Sequence, residues 1–251
     1  MASSKVIILT GASRGIGLAA AHYLLQRSHR LVVVARSEQP LQELQKQYPE
    51  QVAILPGDLS DLSLGVQAVD LAHREFKQLD GLIVNHGVLD PVKRLADSTA
   101  EEWRSAYDVN LFSALAMIKA ALQSLRKSQG RVVFVSSGAA ANAYPTWGAY
   151  GSAKAALNHL SMTVASEEKD ITSIAIRPGV VDTEMQREIR EKHNTAMDAS
   201  DAKRFAELKT SGSLLKPEQP GHVIARLAID APSDLSGKFL SWDAAELKAF
   251  Q

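Results

Sequence analysis

The chain contains no cysteine, which excludes disulfides, thiolate metal sites, a thiol nucleophile and iron–sulfur clusters. It also carries no net charge: 28 Lys and Arg balance 28 Asp and Glu. It therefore lacks the basic footprint of a nucleic-acid binder, although a local basic pocket for a small anion stays open. No uninterrupted apolar run approaches the roughly 18 residues of a membrane span, and the apolar stretch in MASSKVIILTG is too short for a secretory signal. The seven histidines show no His-x-x-x-His spacing, so no metal site is expected. No membrane and no nucleic-acid partner is expected, and a soluble cytosolic protein is the default reading.

What is present is an ordinary globular mixture, 45% apolar and 22% charged, over 251 residues. Short apolar runs rich in β-branched residues alternate with longer helical stretches. Strands are expected at Val6–Thr10, Leu31–Ala35, Val52–Leu55, Leu82–Asn85, Arg131–Ser136, Thr172–Ile176 and Lys238–Leu240. Runs such as VIIL, LVVVA and VVFV are apolar at consecutive positions, as in strands covered on both faces of a parallel sheet. Helices are expected near 15–28, 38–48, 60–77, 100–128, 148–168 and 217–230. The alternation predicts one α/β domain over 1–251, a doubly wound parallel sheet of about seven strands with helices on both faces. Ligands then sit at the carboxyl ends of the strands. The polar stretch 183–213 breaks the rhythm. It is either a substrate lid over that crevice or a solvated helix pair.

The first strand runs into Gly11-Ala12-Ser13-Arg14-Gly15-Ile16-Gly17 and then a helix. Glycines at such a junction allow the tight turn and let backbone approach a pyrophosphate, which the helix N-terminus attracts. The second strand ends Val34-Ala35-Arg36-Ser37, with no acid to take a ribose 2′-hydroxyl. Arg14 and Arg36 instead suit a 2′-phosphate, which points to NADP(H). Asp58, followed by Leu59, either accepts from an adenine amino group or caps a helix starting near Ser60.

Tyr150 and Lys154 lie four apart at a helix start and share a face. A phenol has a pKa of about 10, too high for acid–base work at neutral pH. A cation about 4 Å away, at an effective dielectric of about 20, contributes about 4 kcal/mol and would bring it close to working pH. Ser137, thirteen residues before Tyr150 at a strand end, is placed to donate to a carbonyl oxygen.

These segments resemble the classical short-chain dehydrogenase/reductase family over nearly the whole chain. GASRGIG is similar to that family's cofactor loop, Asp108-Val109-Asn110 to its helix asparagine motif, and Arg177-Pro178-Gly179-Val180-Val181-Asp182-Thr183 to its Pro-Gly motif. The resemblance implies a Rossmann-type fold and a tetrad of Asn110, Ser137, Tyr150 and Lys154. It implies that Tyr150 donates the proton, that Lys154 also holds the nicotinamide ribose, and that Asn110 anchors a water leading to solvent. Val181 and Thr183 would fix the carboxamide, beside Pro178 and Gly179. Val84-Asn85-His86-Gly87 stands where the family usually has Asn-Asn-Ala-Gly. Asn85 is expected to stabilise the central sheet, Gly87 to lie at the cofactor, and His86 either to touch the cofactor or to fill space.

Within the family, the segments around Asn85–Val92, Trp147–His159 and Pro178–Gln186 resemble the benzil reductase ((S)-benzoin-forming) branch, related to sepiapterin reductase. That implies NADPH-dependent reduction of one carbonyl of an aromatic α-diketone. Tyr144, Trp147, Met185 and Leu89 are candidates for an apolar substrate wall. The alternatives are a pterin carbonyl reductase and a dinucleotide-binding sensor without catalysis. Family members are mostly dimers or tetramers, through helices corresponding to 100–128 and 148–168.

Overall fold

The computed structural model describes residues 4–251. Seven strands form one parallel sheet: β1 (Val6–Thr10), β2 (Arg30–Ala35), β3 (Val52–Pro56), β4 (Gly81–Val84), β5 (Arg131–Val135), β6 (Thr172–Arg177) and β7 (Phe239–Ser241). Their order is β3-β2-β1-β4-β5-β6-β7. The chain winds outward twice from the centre, so the crevice opens where β1 and β4 meet. Leu9 pairs with Ile83 there, and both strands end within a residue or two of that pair.

The consecutive apolar residues of each strand divide between two cores. Ile7, Leu9, Val33, Ile83, Val133 and Ile174 face α1 (Gly15–Leu25), α2 (Glu38–Gln47) and α9 (Glu218–Asp230). Ile8, Val32, Val34, Leu82, Val132 and Phe134 face α3 (Leu64–Phe76), α5 (Ser113–Ser128) and α6 (Gly148–Glu167). Period-two alternation between two apolar layers is why the strands read as unbroken apolar runs. No helix among the described residues is long and apolar enough to cross a membrane.

Two helices differ from the sequence expectation. The helix expected from about residue 60 begins at Leu64. Asp58 and Asp61 each turn a carboxylate oxygen onto the N–H two residues on, Ser60 at 2.9 Å and Ser63 at 3.0 Å, and these local turns displace the first helical turn. Asp58 thus caps a turn rather than the helix.

The helix expected over 100–128 is broken into α4 (Ala100–Tyr107) and α5 by a π turn at Asp108–Phe112. Neither Pro nor Gly causes the break. Ser113 N–H bonds back to Asp108 O, so Val109 O loses its usual partner four residues on. His86 Nε2, at 3.0 Å, and the Ser113 hydroxyl, at 2.6 Å, supply it instead. Val109 O can only accept, so His86 carries its proton on Nε2 and Nδ1 accepts from the Thr10 hydroxyl at 2.7 Å. His86 therefore ties the end of β1 to the π turn. Of the two roles open to it in the sequence, it fills an interior position with its hydrogen bonds made, while bordering the crevice.

The stretch 183–213 folds as α7 (Glu184–Glu191) and α8 (Ala199–Thr210). Both helices send side chains into the crevice. Lys192 pairs with Asp90 at 3.2 Å, Arg94 with Asp198, and Lys209 with Asp182 at 2.7 Å, joining this segment to the body.

Burial, aided by the nearby Lys154 ammonium, lowers the His86 pKa to about 3. The folded state refuses a proton that the unfolded chain accepts near pH 6.5, so stability is complete above that value and is lost as pH falls towards 3. Between pH 6.5 and 5 the loss from this one group amounts to about 2 kcal/mol. Chemical denaturation at pH 7 and pH 5 should show a drop about that much larger in the wild type than in His86→Asn. Equal drops would refute the buried neutral imidazole.

Candidate active site

The carboxyl ends of the strands enclose a cleft of about 960 Å³. Its inner floor is the turn after β1. Gly11 and Gly15 have φ of +65° and +56°, a left-handed conformation that other residues rarely adopt. At Gly17 a Cβ would stand 2.2 Å from Gly11 O, so the loop closes on itself only with glycine. Asn85 Nδ2 donates to Thr10 O and Gly11 O at 3.2 and 3.0 Å, which holds the loop against the residue after β4. The result is a backbone cradle at the start of α1 with room for a phosphate.

Gly11, Ser13, Arg14, Gly15 and Ile16 line the cleft, and so do Arg36, Ser37, Asp58 and Leu59 at its far end. Arg14 and Arg36 are exposed at the mouth. Arg14 Nη2 lies 3.9 Å from Glu188 of α7. The Ser60 N–H, with a smaller pull from Arg36, holds the Asp58 carboxyl below the usual carboxylate range. Asn85, Gly87, Pro178, Gly179, Val181 and Thr183 line the opposite side. Of the expected cofactor residues only Gly17 stands behind the wall, where it shapes the loop.

Ser137, Tyr150 and Lys154 meet at the inner end. Ser137 follows β5, while Tyr150 and Lys154 sit in the first two turns of α6. Burial pushes the Tyr150 phenol up, and the Ser137 hydroxyl beside it pulls in the opposite direction. The sequence predicts that the ammonium draws the phenol down towards neutral; burial instead holds it up. Lys154 Nζ is 5.9 Å from the Tyr150 ring centre and donates to Val135 O at 2.9 Å. A shared helix face leaves a long side chain free to choose its partner, and here it takes the carbonyl at the end of β5. Burial lowers the Lys154 pKa to about 8.

Asn110 is buried behind this group and does not line the cleft. Its amide bridges both backbone groups of Val88, each at 2.9 Å. A Cβ at Gly87 would meet Asn110 Oδ1 at 2.9 Å and Lys154 Nζ at 3.3 Å, so the two side chains flank one glycine. The tetrad residues thus form one cluster, with Asn110 as its backing.

The outer wall is aromatic. Trp147 stacks on Phe205 of α8 at 5.5 Å, lies 5.0 Å from Tyr144 and stands edge-on to Tyr150 at 6.1 Å. Leu89, Ile189 and Met185 complete it. Tyr144 and Met185 are half-buried on the cleft, whereas Trp147 is 6% exposed and acts chiefly as the backing of the wall. Phe205 and Ile189 were missed in the sequence. The signal was there in Phe205 and Leu208, three apart in an otherwise polar segment, which mark an apolar helix stripe. Among the described residues no group of His, Asp or Glu side chains comes together to hold a metal.

The short chain dehydrogenase family matches residues 5–194. A Saccharomyces cerevisiae protein named benzil reductase ((S)-benzoin forming) is 38% identical, over 98% of this chain and 99% of its own. A Bacillus cereus protein of the same name is 32% identical, over 89% and 93%. The crystal structure of a Saccharomyces cerevisiae short-chain dehydrogenase/reductase superposes with a TM-score of 0.96 at 40% identity, covering 99% of this chain and 100% of that one. Together with the glycine cradle and the Ser137–Tyr150–Lys154 cluster, these matches establish that the chain belongs to the short-chain dehydrogenase family, in the branch that includes the benzil reductases.

Proposed function

We propose that this protein is an NADPH-dependent carbonyl reductase acting on one carbonyl of an aromatic or α-dicarbonyl compound, of the benzil to (S)-benzoin type. The observation that carries the reading is a buried phenol, paired with a strand-end serine, set between a phosphate cradle and an aromatic wall. The cradle fits a dinucleotide. Gly11, Gly15 and Gly17 leave the backbone open to a pyrophosphate, and Pro178, Gly179, Val181 and Thr183 border the other end. Arg14 and Arg36 at the mouth, with Ala35 where an acid would repel it, support a 2′-phosphate and hence NADP(H).

When bound, the reduced nicotinamide supplies the hydride. The rest falls to the chain. Ser137 donates to the substrate oxygen and fixes the carbonyl beside Tyr150. Tyr150 keeps its proton at neutral pH because burial holds its pKa up, which suits an acid that protonates the incoming alkoxide. Lys154, with a pKa of about 8, is the adjacent reservoir that restores that proton. Asn110 holds the Gly87–Val88 backbone in place beside it. The residues from 183 to 213 serve as the lid of a single domain, with Phe205 and Met185 on its inner face. The exposed apolar side chains Phe112, Leu115 and Met162, on α5, α6 and the turn before α5, support self-association as a dimer or tetramer.

Oxidation of NADPH in the presence of benzil, followed by absorbance, is expected to exceed that of NADH clearly, with (S)-benzoin as product. Equal use of both cofactors would overturn the assignment of Arg14 and Arg36. Tyr150→Phe should cut kcat by at least about 100-fold, the scale of one acid–base group, while cofactor still binds. A variant near wild-type rate would remove Tyr150 from the chemistry, and binding without turnover in the wild type would favour a sensor. The reduction rate should fall above pH about 8, where Lys154 loses its proton, with a slope in log kcat approaching −1. A flat profile to pH 10 would refute the reservoir role. Sedimentation should show an oligomer that Met162→Lys together with Leu115→Lys dissociates, and a monomeric wild type would count against self-association.

A further inference from the structure

The outer end of the cleft holds an exposed cation with no carboxylate partner among the described residues. Arg204, on α8, lines the cleft beside Tyr144, Trp147 and Phe205. Its Nη1 donates to the Tyr144 hydroxyl at 3.3 Å, and its guanidinium carbon lies 6.0 Å from the Tyr144 ring centre and 5.7 Å from that of Phe205. These contacts aim the group along the aromatic wall without neutralising it.

Its neighbours in the same segment are all engaged. Arg187 pairs with Glu184 and Glu191, Lys192 with Asp90, Lys203 with Glu207, and Lys209 with Asp182, while Arg190 bonds the Gln186 side chain. Among the described residues Arg204 has no carboxylate within 4.0 Å. An arginine placed only for solubility gains nothing from facing a ligand cleft. A guanidinium fixed at one edge of an apolar wall is a receptor for a planar anion, which it meets with two parallel hydrogen bonds.

The spacing narrows the ligand. Arg204 lies 6.0 Å from the Tyr144 ring centre, Tyr144 5.0 Å from Trp147, and Trp147 6.1 Å from Tyr150. Arg204 thus touches the aromatic wall at Tyr144 and Phe205, while the reacting carbonyl would lie at Tyr150, next to Trp147. We propose that Arg204 is a specificity-determining residue that selects aryl ketones or aryl diketones bearing a carboxylate on the side of the ring remote from the reacting carbonyl. The proposal rests on the carbonyl reductase reading and adds the charge of the substrate to it. Neutral benzil is then a substrate that fills the aromatic wall and leaves the cation unused.

The test compares benzil carrying a 4-carboxylate with its neutral methyl ester, using NADPH and the intact protein. The wild type should prefer the acid in kcat/KM, and the preference should shrink as potassium chloride is added. Arg204→Gln should lower the acid-to-ester ratio by about tenfold, the scale of one charge-assisted hydrogen bond. Lys203→Gln, which removes an adjacent cation already paired with Glu207, should leave the ratio as it is. Arg204→Glu should reverse the preference towards benzil carrying a 4-trimethylammoniomethyl group. A wild-type ratio of one or below, or a ratio that Arg204→Gln does not move, overturns the proposal. If neither compound nor benzil is reduced, the reductase reading itself fails. Calorimetric binding of the acid to the wild type and to Arg204→Gln then decides the anion site separately, with equal affinities overturning it.

Discussion

The functional half of the molecule depends on how two central strands are fastened where they end. β1 and β4 run side by side with Leu9 opposite Ile83, and the residues that follow are joined by side chains rather than by sheet bonds. Asn85 holds the carbonyls of Thr10 and Gly11, and His86 takes the Thr10 hydroxyl. The turn that would hold a pyrophosphate is thereby fixed to the strand that leads to Gly87. His86 carries the same restraint outward to Val109 and Ser113, and so to the π turn bearing Asn110. A parallel sheet alone would leave these loops free to move. A buried imidazole is costly unless its nitrogens are satisfied, and here both nitrogens have partners, which makes the junction rigid at little cost.

Most of the fold was legible in the sequence because both periodicities are strong. Every expected strand is present within a residue or two of its expected ends, since an apolar strand of a doubly covered sheet leaves few alternative assignments. The break in the helix expected over 100–128 was not legible. DVNLF has the composition of an ordinary helix turn, and its π geometry comes from contacts with His86 and Val88, about 22 residues away in sequence. The start of α3 shows the converse case. Asp58 and Asp61 are helix-capping residues by type, yet each closes its own turn first, and only the backbone path tells the two outcomes apart.

The candidate site divides in the same way. Its cradle and its Ser137–Tyr150–Lys154 cluster are local motifs, so residue type and spacing were enough to find them. The substrate wall gathers side chains from the loop after β4, the start of α6, α7 and α8. Phe205 meets Trp147 across 58 positions of sequence, and no local pattern announces such a contact. Spacing also failed at short range in one respect. Four residues along a helix bring Tyr150 and Lys154 to one face, but the ammonium donates its hydrogen bond to neither the phenol nor Ser137 and takes Val135 O instead. Helical spacing sets where side chains start; the hydrogen-bond partners within reach decide where they finish.

That last distinction bears on the chemistry. With Lys154 held by a backbone carbonyl and Tyr150 held up by burial, neither group is in the state a base would need at neutral pH. A phenol that retains its proton is poor at removing one from an alcohol and well suited to giving one to an alkoxide. The same desolvation that raises Tyr150 lowers Lys154 to about 8, so burial sets the proton affinity of the phenol above that of the amine. That order of affinities would let a proton pass downhill from the ammonium to a phenolate. The aromatic wall contributes to that order by keeping water from the phenol. The residues that shape the substrate end and those that tune the acid thus act through one physical variable, the dryness of the inner cleft.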